Sequence, residues 1–419
     1  MEYVVGSIWL GVFAVLSWQK ERFGVMLFLA TTPLYLIRFS FGPLPTTLVE
    51  LELFFLAGIV IIKHRQEILR AITPQTLLEK VLVISIACLA ISASVAVMVS
   101  PDIRAALGVW RAYFIEPIIF FVLYLYLIKK PPQIWTTVGI LGVSGAIIAL
   151  IALGQVFAGF PIPPPWDVEL RATSLYPYPN AVGLFLAPII PLIIAYAVHT
   201  RGIKRIYLIT LSTLLVAGII AAKTVGALVA LGVAGLIGGI VWSKQSRQWT
   251  IRILISAALV LIIAPSIYAP IQKKLFFQEW SGTVRQITWN ETIPMLRDHW
   301  LVGVGLAGYQ NTFEPYHKAQ AIEIFLYPHN IILNFWSEIG LYGLMSIVAL
   351  VACYFILLRG AHDKEQRALL FGLAGAMITI LVHGAVDVPY FKNDLAIIWW
   401  TLFACALILY RHKRQSYER

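Results

Sequence analysis

The residues able to do chemistry gather in a few short stretches. Tyr327-Pro328-His329-Asn330 sets a histidine and an amide before a long apolar run whose one charged residue is Glu338. An imidazole, with an ordinary pKa of about 6.5, can take a proton from a hydroxyl near neutral pH. His329 is therefore the candidate general base, and Asn330 a candidate to orient a ligand or the loop. If the run after it is helical, Glu338 lies roughly 13 Å further along at about 1.5 Å per residue, too deep to share the ligand. Its expected role is structural, satisfying an arginine or a backbone group inside a bundle. Arg285 stands four residues before Trp289, Arg171 precedes Pro179-Asn180, and Lys223 lies within Ala222-Lys223-Thr224-Val225-Gly226-Ala227. Gly303-Val304-Gly305-Leu306-Ala307-Gly308-Tyr309 is a glycine-rich turn whose amides could approach an anion. It neither follows a strand pattern nor carries a Walker lysine, so Gly303 and Gly305 are read as parts of a tight structural turn.

Helices in lipid must position these groups. Of 419 residues 59% are hydrophobic and 13% charged, and the mean hydropathy is +0.81, which excludes an ordinary soluble domain. A spanning helix needs about 20 apolar residues. Runs that qualify lie near 3–19, 23–39, 46–62, 81–99, 113–128, 134–157, 181–198, 205–222, 225–242, 251–269, 331–358, 368–386 and 394–410. The expected fold is all-α, a polytopic membrane bundle of about 12–13 transmembrane helices. Residues 1–419 form a single integral-membrane domain with one large external loop containing short surface helices.

Charge gives the expected orientation. About two thirds of the 32 basic residues fall in one alternate set of loops, including Lys63, Arg65, Arg70, Lys80 and the tail 411–419. Basic residues are retained on the cytoplasmic side, so the tail is cytoplasmic, and the loops 159–180 and 271–330 are external. The net charge of +11 thus has a topological origin and calls for no nucleic-acid partner. Cys88, Cys353 and Cys405 all fall within expected spans, with neither a disulfide framework nor a metal-ligand spacing, and no metal is expected. The first residues lack the basic stretch and cleavage site of a removed signal peptide and are expected to insert as a span.

The prolines of loop 159–180 forbid a regular helix. In loop 271–330, Trp289, Ile293, Leu296 and Trp300 form an apolar stripe fit for a surface helix that Pro294 should kink.

His329-Asn330, Leu333, Glu338, Gly340 and Gly343, with Val302-Gly303-Val304-Gly305-Leu306-Ala307-Gly308-Tyr309 before them, resemble the O-antigen ligase and polymerase superfamily of bacterial polysaccharide assembly. Arg285, Arg171 and Pro179-Asn180 match further elements of that pattern. Lys223 stands where the superfamily usually places an arginine after a serine, so bidentate phosphate binding is lost there. The resemblance implies metal-independent transfer of a saccharide chain, without a cofactor, from a polyprenyl-diphosphate carrier to an acceptor hydroxyl at the external face of a bacterial inner membrane. His329 and Arg285 would then be catalytic, while Lys223, Arg171, Asn330 and Asn180 would bind diphosphate or sugar. The acceptor separates a ligase, which uses a glycan, lipid or protein, from a polymerase of lipid-linked units.

The rival class is a transporter of a small anion or lipid-linked sugar. It would be expected to show charged midplane groups and repeated halves, and neither pattern is seen. His383 and Asp387, four residues apart, are read as a structural pair, and Glu50, Glu52 and Glu116 as partners for Arg38 or Arg111. Trp166, Tyr176, Tyr178 and Tyr309 are candidates to stack on sugar rings.

Overall fold

The computed structural model describes residues 2–41, 44–263, 278–359 and 364–417. Over the described residues it is an all-α membrane bundle of 15 helices with almost no strand. In chain order these are α1 (Glu2–Gln19), α2 (Glu21–Thr31), α3 (Leu48–Ile72), α4 (Leu77–Val99), α5 (Ile103–Leu127), α6 (Pro131–Phe157), α7 (Pro179–His199), α8 (Gly202–Ala221), α9 (Val225–Trp242), α10 (Lys244–Ile263), α11 (Trp280–Asp298), α12 (Tyr309–Phe313), α13 (Ile331–Leu357), α14 (Lys364–Gly384) and α15 (Asn393–Tyr417). A short antiparallel hairpin, β1 (Arg38–Phe41) and β2 (Leu44–Thr47), joins the early helices.

Among the described residues, nine helices are long and apolar enough to cross a membrane, namely α4 to α9 and α13 to α15. The early runs depart from the expected spans for local reasons. The run near 23–39 is helical only to Thr31, because Thr32-Pro33 opens a 3-10 turn that leads into β1. Helix α3 opens on a capping box between Thr47 and Glu50 and bends at His64. Part of the run near 251–269 and the start of loop 271–330 lie outside the described residues.

Helix α15 is the most enclosed span and α7 the next. Trp399, Trp400 and Phe403 of α15 pack against Tyr354, Tyr390 and Phe121. Helix α7 packs on α6, α8, α9 and α14, and α13 packs on α4. The loops divide between two ends of the bundle. At one end Arg411 reaches the carbonyls of Ala71 and Thr73, and Lys413 that of Arg359. The other end holds 100–102, 158–178, 222–224, 278–330 and 385–392, which bond to one another.

At that second end the glycine turn is fastened into a break in α13. Gly340 has φ +69°, which interrupts the helix and frees backbone groups on either side. The Leu341 N–H donates to the Trp300 and Leu301 carbonyls, and Val304 N–H donates to the Ser337 carbonyl at 2.7 Å. Gly305, at φ +87°, lies so close to Ser100 that a Cβ would fall 2.5 Å from its Cα. Leu306 N–H donates to the Ala96 carbonyl, Ser100 Oγ donates to the Leu306 carbonyl, and Glu338 Oε2 accepts from Ala307 N–H at 2.7 Å. With the Gly303 and Gly308 N–H groups also donated to backbone carbonyls, the turn is a docking element whose amides face protein oxygens.

A Cβ at Gly340 would meet the Leu301 carbonyl oxygen at 2.2 Å. Gly340→Ala should lower stability by about 2–4 kcal/mol, from the left-handed φ and the overpacking together. Gly58→Ala in α3, where an added Cβ meets nothing within 4 Å, should cost nothing. Unfolding in mixed micelles checks both, and equal effects would contradict this account of the break.

Candidate active site

His329 lies between Pro328 and the first turn of α13, in the left-handed region at φ +49°. Such a conformation is uncommon for a residue with a side chain and marks a position the surroundings enforce. The enforcement comes from both sides. Trp289 Nε1 of α11 donates to the Pro328 carbonyl at 2.8 Å. Asn330 caps α13, its Oδ1 accepting from Ile332 and Leu333 N–H, while its Nδ2 donates to the Ala385 carbonyl at 3.0 Å. Asn330 therefore orients the loop, with both ends of its amide engaged. The imidazole is gripped edge to face by Tyr327 and Phe325, with centroids at 4.8 and 5.1 Å.

The group that His329 faces is Asp387. Nδ1 stands 3.7 Å from Asp387 Oδ1, close enough for charge attraction though longer than a hydrogen bond. Its carboxylate is 2% exposed against 25% for the histidine. Asn180 Nδ2 donates to Asp387 Oδ2 at 2.9 Å, and Val388 N–H donates to Oδ1 at 2.8 Å. Burial alone would raise this carboxyl, but the imidazoles of His329 and His383 and the Val388 amide hold it well below the usual carboxylate range. Asp387 is thus a buried anion aimed at one nitrogen of His329, leaving Nε2 for a reactant.

Two arginines join the same loop. Arg285 of α11 donates from Nε to the Val386 carbonyl at 3.0 Å and makes longer contacts from Nη1 to Ser281. Arg171 donates from Nη2 to Asn180 Oδ1 at 3.3 Å and lies over the Trp166 ring. Burial depresses the Arg171 guanidinium, and the positive charge of Arg285 depresses it further, against the opposing pull of Glu169. The two guanidiniums are near enough to feel each other's charge, and an anion placed between them would be attracted by both. Arg171 Nε is buried without a hydrogen-bond partner among the described residues.

The structure brings His329, Arg285, Arg171, Asn180 and Asn330 together around loop 385–392. Lys223 stands to the side, at φ +53°, its ammonium donating to the Glu169 carbonyl. Its turn still touches the site, because Thr224 Oγ1 donates to the Pro179 carbonyl, and a Cβ at Gly226 would lie 3.0 Å from His383.

The face of α11 turned to protein carries Val284, Thr288, Thr292, Met295 and Leu296, whereas Ile293 and Trp300 of the expected stripe are exposed, as a face lying on a bilayer surface would be. The threonines can be buried because their hydroxyls bond to Val284 and Thr288 carbonyls and to Tyr309. Helix α11 runs through Pro294 as one element. Tyr309 is fully buried on Phe313, and Tyr176 is buried with its hydroxyl on Asp394, so neither ring is presented to a sugar. Glu50 and Glu116 both meet Arg111, but Glu52 accepts from Trp9 and Thr31.

Residues 207–348 match the family model described as O-Antigen ligase. That segment belongs to the O-antigen ligase family. No curated protein matches the chain. The O-antigen ligase segment contains Lys223, Arg285, the glycine turn, His329, Asn330 and Glu338, while Arg171 and Asn180 precede it and Asp387 follows. The family points to glycosyl transfer in a multi-pass membrane protein of bacterial polysaccharide biosynthesis. Asp387 is the residue that sequence reasoning missed as the partner of His329. The available signal was a lone carboxylate in Val386-Asp387-Val388-Pro389, between two apolar runs.

If Asn180 and Asp387 act as one unit, their truncations should not add. Asp387→Ala should cost about 2–4 kcal/mol, because it strands buried donors. A double-mutant cycle with Asn180→Ala should give a coupling of about 1 kcal/mol or more. Strict additivity in micelle unfolding would separate the two residues.

Proposed function

We propose that this protein transfers a saccharide chain from a polyprenyl-diphosphate carrier to an acceptor hydroxyl, without a metal ion, at the external face of a bacterial inner membrane. One observation carries the reading. The loop that presents buried Asp387 to His329 also anchors Arg285, and reaches Arg171 through Asn180. A proton acceptor and two cations converge there, which is the set that transfer from a diphosphate requires.

The acceptor oxygen attacks the anomeric carbon of the donor, and the bond from that carbon to the diphosphate oxygen breaks. The bonding electrons leave with the diphosphate, whose growing charge meets Arg285 and Arg171. The acceptor proton passes to His329 Nε2, and the imidazolium that forms is steadied by Asp387 through Nδ1. Tyr327 and Phe325 limit the ring's rotation, so the base is positioned before substrate arrives. Asn330 caps α13, so His329 stands just before the first turn of a spanning helix, and a diphosphate held at the headgroup layer by its lipid tail would be expected at that level.

Purified protein in nanodiscs, given a polyprenyl-diphosphate saccharide pool with EDTA present, should transfer saccharide. Both a second lipid-linked unit and a glycolipid should be supplied as acceptors. His329→Ala should reduce the rate by about 10²–10⁴-fold. Arg285→Ala should reduce it by about 10²–10³-fold, and Arg285→Lys should recover little of it. Full activity in folded His329→Ala would rule out the base, and absence of transfer to any acceptor would rule out the reading.

A further inference from the structure

Lys392 closes the 385–392 loop, one residue before α15, and was not among the residues expected to act. Its ammonium lies 4.0 Å from the centroid of the Tyr178 ring and 5.2 Å from that of Tyr176. Nζ is buried and has no hydrogen-bond acceptor among the described residues. Asp387 and Asp394 attract it at longer range, but neither forms an ion pair with it among the described residues. A face-on aromatic contact offsets only part of the cost of removing an ammonium from water. The tyrosines therefore do not compensate the burial, and three strong N–H donors still lack acceptors among the described residues.

Its surroundings say which acceptor fits. Tyr178, under the ammonium, shares a 3.2 Å hydroxyl contact with Tyr327, whose ring meets His329. Tyr178 also lies two residues before Asn180, which bridges Arg171 and Asp387. Lys392 is thus one aromatic layer from the base and on the same loop that anchors Arg285. The buried atoms without a hydrogen-bond partner among the described residues include Arg171 Nε, His329 Nδ1 and Lys392 Nζ, all cation-forming nitrogens grouped around this loop.

We propose that Lys392 is a substrate-binding residue whose ammonium takes an oxyanion of the donor, either a phosphate oxygen of the carrier or a carboxylate on the saccharide. The proposal rests on the donor reading given above. Lysine suits the position because a point charge with three donors can meet a single oxygen without the planar fork of arginine. Burial holds Lys392 below the ordinary lysine value, at about 8, against the pull of Asp394 and Asp387. It is charged below that pH and neutral above it. The other titratable groups around it are Tyr176 and Tyr178, whose hydroxyls burial pushes upward, Asp387, which is held low, and Asp394 in the first turn of α15.

The test is binding to full-length protein in nanodiscs of three probes: polyprenyl diphosphate without sugar, the same lipid with a neutral sugar, and with a uronic acid. Wild type is compared with Gly58→Ala, Lys392→Met and Lys392→Arg. Gly58→Ala, in open space on α3, should bind as wild type does. Lys392→Met should weaken binding by about tenfold or more, for all three probes if the oxyanion is phosphate and for the uronic probe alone if it is carboxylate. Wild-type affinity should fall between pH 7 and 9.5 while Lys392→Arg stays flat, and this arm needs only folded, charged variants. Unchanged affinity in Lys392→Met, or the same pH profile in Lys392→Arg, would overturn the role of Lys392 alone. A wild type that binds no diphosphate probe would overturn the donor reading as well.

Discussion

A buried carboxylate must be surrounded by donors, and at the motif-bearing end of this bundle that requirement organises everything else. Asp387 is 2% exposed, and an ionised carboxylate so placed costs several kcal/mol unless its lone pairs are met. The chain meets them with hydrogen bonds from Asn180 at the start of α7 and from the Val388 amide, and sets His329, on the approach to α13, within reach of charge attraction. Each of these groups is held in turn by something else. Asn180 accepts from Arg171, His329 is clasped by Tyr327 and Phe325, and the loop itself is tied to Arg285 and Asn330. Satisfying one anion thus fixes four segments that are far apart in sequence, and these carry His329 and both arginines.

That network needs a floor that does not move, and the glycine turn supplies it. The break at Gly340 exposes the Ser337 carbonyl and the Leu341 amide, and the 300–304 segment takes both. Glu338 then accepts from Ala307 N–H deep against α13. Since α12 and the end of α11 hang from the same turn through Tyr309 and Thr292, Trp289 is held where it reaches Pro328. The left-handed backbone at His329 is the visible result of that pull from one side and the Asn330 cap from the other.

Much of this was legible from residue types, and the parts that were not have physical causes. Apolar run length found the nine long helices, because lipid imposes one simple requirement on a spanning segment. It misread the chain near 23–39, where Thr32-Pro33 ends the helix within an apolar run. Hydropathy did not show which face of α11 packs on protein, because Thr288 and Thr292 read as polar, yet each hydroxyl is satisfied by its own helix and can be buried, while Ile293 is left exposed. His329, Arg285 and Arg171 were visible as polar residues at the ends of apolar runs. Helical spacing pairs Asp387 with His383, and the two stay electrostatically coupled, but the chain leaves α14 at Gly384, so the carboxylate also faces a partner 58 positions back in sequence, His329.

Convergence of the cations depends on how closely three spans approach at this end. A Cβ at Gly183 of α7 would sit 2.4 Å from Thr224, and one at Gly226 of α9 would sit 3.0 Å from His383 of α14. Small residues at both positions let α7, α9 and α14 close on one another where lipid gives helices no hydrophobic reason to do so. Asn180 begins the first of these helices, Lys223 precedes the second and Asp387 follows the third. The same close packing that removes lipid from between the spans brings Asn180 and Asp387 within hydrogen-bonding distance. Arg171 is drawn there by Glu169, and Lys392 by Asp394 and Asp387, yet Arg171 Nε and Lys392 Nζ keep no hydrogen-bond partner among the described residues, so an incoming anion would still find donors.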